Sequence, residues 1–333
     1  MALDVELYRR TVYLPEGQQS NKVRRISVID IHPEGATRTL VCIHGYGGDA
    51  HQWLYQLRFF GQTMRVIAPD MRGHGLSDDI SSLPYSITGL IDDLEYVLNA
   101  LDVQQPFVLV AHSFGGAIAT EYTLRHPESV SQLVLIGVPI RFNLSPLLRR
   151  ALLIPDPIFS RVAKIIHVAL FASQRTLKRM HDRIMSIWQG SELMHQLRVP
   201  TLVVMGQRDR VFRREDYSEV PRCIPNAQQV VIPVSSHLVQ LERSDAVNRA
   251  IRRFIEPKPQ DPKEARQQNI ARSSAAAARY AEMPWLQHYD VDVPEQLPQP
   301  RQLIHEMLSN AAREFPDRPA LSFFGQKMRY REL

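Results

Sequence analysis

The feature that most constrains the fold of this chain is a series of short, continuous apolar runs. Such runs, without polar alternation, are typical of parallel strands that are covered on both faces. Helix-period segments lie between them, notably Ile87 to Leu101 and Ala117 to Arg125. The alternation predicts a doubly wound, mostly parallel α/β sheet. The runs are Leu40-Val41-Cys42-Ile43, Val66-Ile67-Ala68, Phe107-Val108-Leu109-Val110, Leu133-Val134-Leu135-Ile136 and Leu202-Val203-Val204-Met205.

The segments around these runs predict the rest of a first domain, residues 1–256. Val5 to Leu14 and Val23 to Ile31 alternate in polarity, which predicts two antiparallel strands that open the sheet. The interval from Gly137 to Val199 is too long for a simple crossover and rich in Leu, Ile and Phe, so a helical lid is expected at about 138–198. A last helix should run from Leu238 to Ile255, before a polar and then alanine-rich linker at 257–283.

Composition excludes several classes of partner. The chain has 333 residues, and its 40 Lys and Arg are scattered among 35 Asp and Glu, so no nucleic-acid partner is predicted. Cys42 and Cys223 are far apart, which indicates neither a disulfide framework nor a metal site and favours a reducing, cytoplasmic compartment. No signal-peptide core and no transmembrane segment of roughly 20 apolar residues is present.

A candidate nucleophile, Ser113, follows the third apolar run. A nucleophilic serine on a strand-to-helix turn needs small neighbours because its strained backbone leaves little room. Ala111 and Gly115 supply them, although the position of Ala111 is more often glycine. The alternative is a buried serine at an ordinary strand-to-helix turn.

Two later residues fit the partners that such a serine requires. A serine hydroxyl attacks only when a base accepts its proton, and the base needs an acid to orient it. Asp209 and His237 follow predicted strands in the chain order serine, acid, histidine. The alternatives are a turn-capping aspartate and a loop or helix-capping histidine.

A glycine-rich loop, His44-Gly45-Tyr46-Gly47-Gly48, follows the first apolar run. The backbone N–H groups of Tyr46 and Phe114 are the predicted donors to the oxyanion of a tetrahedral intermediate. The alternative, a phosphate-binding loop, lacks both GxxxxGK[ST] and GxGxxG. No cofactor and no metal are therefore predicted.

Together with Asp70-Met71-Arg72-Gly73-His74-Gly75-Leu76-Ser77, these motifs resemble the α/β-hydrolase superfamily over roughly residues 5–256. The resemblance implies the α/β-hydrolase fold and, because the nucleophile is serine, similarity to esterases, lipases and carbon–carbon bond hydrolases. The Asp70 to Ser77 segment is interpreted as structural, with glycines that shape a loop and Arg72 paired to a nearby carboxylate.

The carboxyl end carries a second resemblance. Met283-Pro284-Trp285-Leu286, the segment Ala311 to Leu321 and Tyr330-Arg331-Glu332-Leu333 are similar to the opening of an acyl-CoA synthetase of the AMP-binding family. Residues 284–333 are thus expected to be a truncated piece of that family, and a fused or associated synthetase is a candidate partner. The alternative is chance similarity.

The favoured function is hydrolysis of a carboxylic ester through an acyl-enzyme, with Ser113 as nucleophile, His237 as base and Asp209 orienting it. Apolar lid residues favour an apolar acyl substrate. Three alternatives stay open: an acyl-CoA thioesterase, a carbon–carbon bond hydrolase, and a non-catalytic docking module of a fused synthetase. The lid residues in question are Leu147, Leu148, Leu152, Leu153, Phe159, Val162, Ile165, Ile166, Leu170 and Phe171.

Overall fold

A computed structural model describes residues 3–15, 23–79, 85–144, 149–150, 153–154, 170–256, 304–323 and 326–332. The chain divides into two compact units, Met1–Pro257 and Lys258–Leu333. Each unit is described by itself below.

An eight-stranded sheet with the strand order β1-β2-β4-β3-β5-β6-β7-β8 forms the centre of the first unit. β1 pairs with β2 and β2 with β4 in antiparallel fashion, whereas all other neighbours are parallel. Every apolar run of the sequence lies in one of these strands, so the predicted α/β sheet is confirmed. The strands are β1 Arg9–Pro15, β2 Val23–Ile31, β3 Thr39–Ile43, β4 Arg65–Pro69, β5 Phe107–His112, β6 Val130–Ile136, β7 Thr201–Gly206 and β8 Gln228–Ile232.

Helices cover both faces of the sheet. Val41 and Ile43 of β3 pack into one core cluster, whereas Leu40 and Cys42 pack into another on the opposite face. The first cluster includes residues of α2 and α3, and the second includes residues of α1 and α9. Burial on both faces explains why these strands have continuous apolar sequences. The helices of the first unit are α1 Leu54–Phe60, α2 Ile87–Ala100, α3 Gly115–Arg125, α4 Gln174–Met180, α5 Ser191–His195, α6 Arg214–Ser218, α7 Val220–Cys223, α8 Val239–Glu242 and α9 Ser244–Ile255.

Two predicted boundaries are wrong. The first strand begins at Arg9 rather than Val5, because Val5–Tyr8 forms a 3-10 turn that the Asp4 side chain caps. The predicted helix from Leu238 to Ile255 is two helices, α8 and α9, which Arg243 separates with a non-helical φ of −134°. The apolar periodicity continues across Arg243, so the sequence pattern did not reveal the break.

The segment between β6 and β7 contains α4, a π-helical turn at His181–Met185 and α5. Its described part packs on the body of the unit: Met180, Ile184 and Met185 belong to the larger core cluster. The Trp188 indole also donates a 2.8 Å hydrogen bond to Glu121 of α3. Of the predicted apolar lid residues, only Leu153, Leu170 and Phe171 lie within the described residues.

The second unit, in its described part, contains the helix α10 Ile304–Glu314 and an antiparallel hairpin of β9 Pro319–Phe323 and β10 Gln326–Arg329. The predicted linker at 257–283 falls outside the described residues. Within the described parts of the chain, no helix is long and apolar enough to cross a membrane.

Candidate active site

Ser113 is the residue that follows β5, at the turn into α3. Its φ of +48° is left-handed, which is uncommon for a residue other than glycine and marks local strain. The turn is held by hydrogen bonds from the Ser113 N–H to the Ile136 carbonyl (2.9 Å) and from the Gly116 N–H to the Ser113 carbonyl (2.8 Å). A side chain at Gly115 would place its Cβ 2.6 Å from the His44 carbonyl oxygen. The small residue predicted at this turn is therefore required by the close approach of the two loops.

The three side chains predicted to act together lie in one hydrogen-bonded chain. His237 Nε2 is 2.9 Å from Ser113 Oγ, and His237 Nδ1 is 2.7 Å from Asp209 Oδ2. Asp209 follows β7 and His237 follows β8, so all three residues lie at the carboxyl ends of parallel strands. The arrangement allows the imidazole to take a proton from the hydroxyl while the carboxylate fixes its tautomer.

The loop that carries His237 is fixed from several sides. Val234 has a φ of +52°, an outlier for a β-branched residue, and its N–H donates a 3.2 Å hydrogen bond to Gln207 Oε1. His112 Nε2 lies 3.0 Å from the His237 carbonyl oxygen. The Arg208 N–H donates to the Ser235 carbonyl at 2.8 Å, which ties this loop to the one that carries Asp209.

A fourth side chain, Tyr217, joins the group and was not predicted. Its hydroxyl donates a 2.8 Å hydrogen bond to Asp209 Oδ1, and the Val211 N–H also donates to that oxygen at 3.1 Å. Burial alone would raise the pKa of Asp209, but the hydrogen bond and charge of His237, with the Val211 and Tyr217 donors, hold it below its usual value. The Asp209 carboxylate is therefore ionised at neutral pH.

The predicted oxyanion loop is held in place by side chains. The Gly45 N–H donates to Gln52 Oε1 at 2.9 Å, and the Gly47 N–H donates to His74 Nε2 at 3.2 Å. Neither the Tyr46 N–H nor the Phe114 N–H donates a hydrogen bond to any residue that the structure describes. The two rings make an edge contact, with centroids 6.5 Å apart. Among the described residues, both amides thus have no acceptor.

The Asp70 to Ser77 segment supports this loop through buried polar contacts. Asp70 accepts hydrogen bonds from the N–H groups of Ala50 (2.8 Å) and Leu76 (3.0 Å). Arg72 makes a two-point contact with Asp93 at 2.7 and 2.8 Å, which confirms the predicted pairing with a carboxylate. Asp93 also pairs with Arg24, so one buried carboxylate serves two guanidinium groups.

Two fully buried histidines next to the site are neutral. Burial lowers the pKa of His74 to about 3, and the nearby His44 adds to the effect. Burial likewise lowers the pKa of His112 to about 3, with His237 as the next cause. These rings serve as hydrogen-bonding scaffold of the loops, a role that the sequence analysis did not assign to them.

A cavity of about 660 Å³ lies beside this group of residues. The Phe212 ring, which lines it, is 6.0 Å from the His237 ring between centroids. Within the described residues, no cluster of three or more His, Cys, Asp or Glu side chains could hold a metal ion. The lining residues are Phe142, Asn143, Leu144, Arg149, His181, Ser186, Arg210, Val211, Phe212 and Arg213.

Comparisons with known proteins agree with the fold. Residues 38–166 match the family model of the alpha/beta hydrolase fold. A 2-hydroxymuconate semialdehyde hydrolase of Pseudomonas putida is 29% identical over 258 residues, which are 68% of this chain and 90% of the relative. Lipase 1 of Psychrobacter immobilis is 25% identical over 63% of this chain and 74% of its own length.

Solved structures agree as well. A thermophilic esterase from Thermogutta terrifontis superposes with a TM-score of 0.61 at 25% identity, covering 74% of this chain and 98% of the esterase. None of these matches tests the resemblance of residues 284–333 to an acyl-CoA synthetase, which stays a prediction. From the fold, the family model and these relatives together, the first unit of this chain is a hydrolase that belongs to the α/β-hydrolase superfamily.

Proposed function

We propose that this hydrolase cleaves carboxylic esters through an acyl-enzyme formed on Ser113. The observation that carries the proposal is the continuous hydrogen-bonded chain from Ser113 Oγ through His237 to Asp209, with contacts of 2.9 and 2.7 Å. An ordinary buried serine has no need of an imidazole that is itself hydrogen-bonded to an ionised carboxylate. Nucleophilic catalysis needs both.

Acylation follows from this geometry. Ser113 Oγ attacks the ester carbonyl carbon while its proton passes to His237 Nε2, and the carbonyl oxygen becomes an oxyanion. The free N–H groups of Tyr46 and Phe114 would stabilise that oxyanion, a contribution of ~3 to 4 kcal/mol for each donor in comparable sites. The intermediate then collapses, and the leaving alcohol takes the proton from His237. Asp209 holds the imidazole and balances its charge.

In deacylation, a water molecule takes the place that the leaving alcohol occupied in acylation. His237 takes a proton from a water molecule as its oxygen attacks the acyl carbonyl, and Ser113 Oγ leaves with that proton. The carboxylic acid is released and the enzyme is regenerated. No cofactor enters either half of the reaction, because both need only proton transfer and oxyanion binding.

Apolar surface near the nucleophile supports an apolar acyl group as substrate. Phe114, Phe142 and Phe212 form a row of rings with centroid distances of 5.7 Å between neighbours. Leu170 lies against the oxyanion loop, so that a Cβ at Gly47 would be 2.9 Å from its Cδ2. Acyl chains gain free energy of binding by burial against such rings and methyl groups.

Carbon–carbon bond hydrolysis is the second candidate, because the relative from Pseudomonas putida is named a 2-hydroxymuconate semialdehyde hydrolase. The same three side chains could serve both reactions. The test compares kcat/KM for p-nitrophenyl butyrate, butyryl-CoA and 2-hydroxymuconate semialdehyde, with Ser113→Ala as the control for each. Preference for p-nitrophenyl butyrate supports the ester assignment. Turnover of the semialdehyde or of the thioester alone would overturn it.

Residues 284–333 are proposed to open an acyl-activating domain, as their resemblance implies. The described elements support this reading by their order, a helix followed by a hairpin. A fused or associated acyl-CoA synthetase would then act on the acid that the hydrolase releases. Mass measurement of the native product tests the fusion: a mass beyond that of 333 residues is expected, and a polypeptide ending at Leu333 would contradict it.

A further inference from the structure

The cavity beside His237 has an unusual charge for a site that handles apolar esters. Arg149, Arg210 and Arg213 line it, and so does His181, whereas its described lining contains no Asp or Glu. Its volume of about 660 Å³ lies within the usual range for small-molecule sites. The cavity thus combines the size of a ligand site with a single sign of charge.

Residues that line the cavity contact the reactive centre. Arg210 directly follows Asp209 in the chain, and the ring of Phe212, which lines the cavity, lies 6.0 Å from the His237 ring between centroids. On the other side, the Phe142 ring lies 5.7 Å from that of Phe114, the residue after the nucleophile. A molecule bound across these rings would reach the cavity while its carbonyl lies at Ser113.

The positive charges of this lining are not neutralised by any residue that the structure describes. Arg149, Arg210 and Arg213 have neither an ion pair nor a side-chain hydrogen bond with any described residue. Three described carboxylates contact residues of the lining, and all three are already engaged. Asp209 accepts hydrogen bonds from Val211 and Tyr217 and holds His237. Asp182 binds Lys178 and His181, and Asp216 binds Arg141 and Asn143.

We propose that this cavity binds an anionic group of the substrate, a carboxylate or a phosphate, at a distance from the bond that is cleaved. The inference rests on the proposed function and names its substrate class. A guanidinium group binds carboxylate and phosphate oxygens through paired N–H donors. Charges of one sign in a concave site also raise the local concentration of an oppositely charged ligand. A cavity whose described lining has three such groups and no carboxylate therefore selects for an anion.

The anion could belong to the acyl part or to the leaving group, and two matched substrate pairs separate these sources. The first pair is the p-nitrophenyl monoester of glutaric acid and p-nitrophenyl pentanoate, which differ in a terminal carboxylate. The second pair is butyryl-CoA and S-butyryl-pantetheine, which share the thioester and the pantetheine arm and differ in the phosphorylated adenosine end. The ratio of kcat/KM for the anionic over the neutral member is measured within each pair.

The arginines are tested by Arg210→Gln and Arg213→Gln, singly and together, with Arg249→Gln as the control. Arg210 and Arg213 are exposed, so their replacement should not disturb folding, and the unchanged thermal midpoint verifies this. Arg249 is exposed on α9 and does not line the cavity. In the pair that carries the natural anion, the double variant is expected to lower the ratio of kcat/KM for the anionic over the neutral member at least about tenfold. This is the size of effect that follows from loss of a hydrogen bond to a charged group. Raised ionic strength should lower the same ratio in the wild type.

The outcomes distinguish the inference from the function on which it rests. A wild-type ratio above one that falls in the arginine variants supports the inference, and the pair that responds identifies carboxylate or phosphate. Ratios near one in both pairs, or an anionic preference that survives both substitutions, would overturn it while ester hydrolysis stands. A wild-type protein that hydrolyses neither member of either pair would contradict the proposed function itself.

Discussion

The hydroxyl of Tyr217 donates a 2.8 Å hydrogen bond to Oδ1 of Asp209, the carboxylate oxygen that does not face His237. The other oxygen, Oδ2, lies 2.7 Å from His237 Nδ1. Tyr217 is buried on α6, so its ring is fixed by packing. The carboxylate is thereby held at both ends, and its rotation is fixed relative to the imidazole.

Tyr217→Phe tests this contact. The substitution keeps the packed ring and removes the donor, so Asp209 loses one of two groups that hold its Oδ1. We expect kcat to fall about tenfold, the equivalent of ~1.4 kcal/mol, with little change in KM. Tyr85→Phe is the matched control, since Tyr85 is also buried and donates to an aspartate, Asp79, at 3.0 Å. An equal loss of kcat in both variants would show that the effect is structural.

Asp209→Asn tests the acid that is assigned to orient His237. An amide cannot replace the ionised carboxylate as the acceptor that fixes the imidazole tautomer, and we expect kcat to fall by roughly 10⁴. Asp216→Asn is the control, because Asp216 is a buried aspartate in the next helix that pairs with Arg141 instead. That variant should lower the thermal midpoint and keep kcat within a few-fold. Comparable losses of kcat would contradict the assignment of Asp209.

Stability should fall in mild acid because of His74 and His112. The pKa of each ring is lowered from 6.5 to about 3, so the unfolded state binds protons below pH 6.5 that the folded state cannot accept. The stability that each neutral ring provides is therefore complete above pH 6.5 and is lost between pH 6.5 and 3. At pH 5 each ring lowers the free energy of unfolding by about 2 kcal/mol relative to pH 7.5.

Urea unfolding at pH 7.5 and pH 5 measures this loss. His112→Asn removes one of the two titrating rings, and the drop in free energy between the two pH values should become smaller by about 2 kcal/mol. A variant whose pH dependence equals that of the wild type would show that His112 is protonated in the folded protein.

The buried carboxylate of Asp93 is expected to matter for stability and not for chemistry. It pairs with Arg72 and Arg24, and all three side chains are buried. Asp93→Ala leaves two guanidinium charges without this partner and should cost about 3 to 5 kcal/mol of unfolding free energy. Differential scanning calorimetry gives the loss, while kcat measured well below the midpoint should stay near that of the wild type. A midpoint shift of less than about 2 °C would contradict the account, since it corresponds to less than ~1 kcal/mol.

The strands of the sheet were predictable because a strand that is buried on both faces has a continuous apolar sequence. Runs such as Leu40 to Ile43 have no polar residue because neither face meets water. Ser113, Asp209 and His237 were predictable for a related reason: each follows a predicted strand, and the fold brings the carboxyl ends of parallel strands to one edge. Their side chains therefore lie close enough to form hydrogen bonds.

The contact of a helix residue with the catalytic group, and the set of residues that line the cavity, were not predictable. Tyr217 lies eight residues after Asp209, and nothing in its local pattern separates a tyrosine that binds a carboxylate from one that fills the core. Arg210 and Arg213 have the local sequence of ordinary polar loop residues, and only the fold shows that they line a cavity together with Phe142 and Asn143, which are far away in sequence. The break at Arg243 was missed because apolar periodicity reports burial, and burial continues across it.

The most direct test of the central claim is labelling with a fluorophosphonate, which reacts only with a serine whose proton is removed by a base. After digestion, peptide mass mapping locates the adduct. The account predicts one adduct, on Ser113, that is absent in Ser113→Ala and strongly reduced in His237→Ala while both variants keep the wild-type fold. An unlabelled protein, or an adduct on another serine that persists in Ser113→Ala, would contradict it.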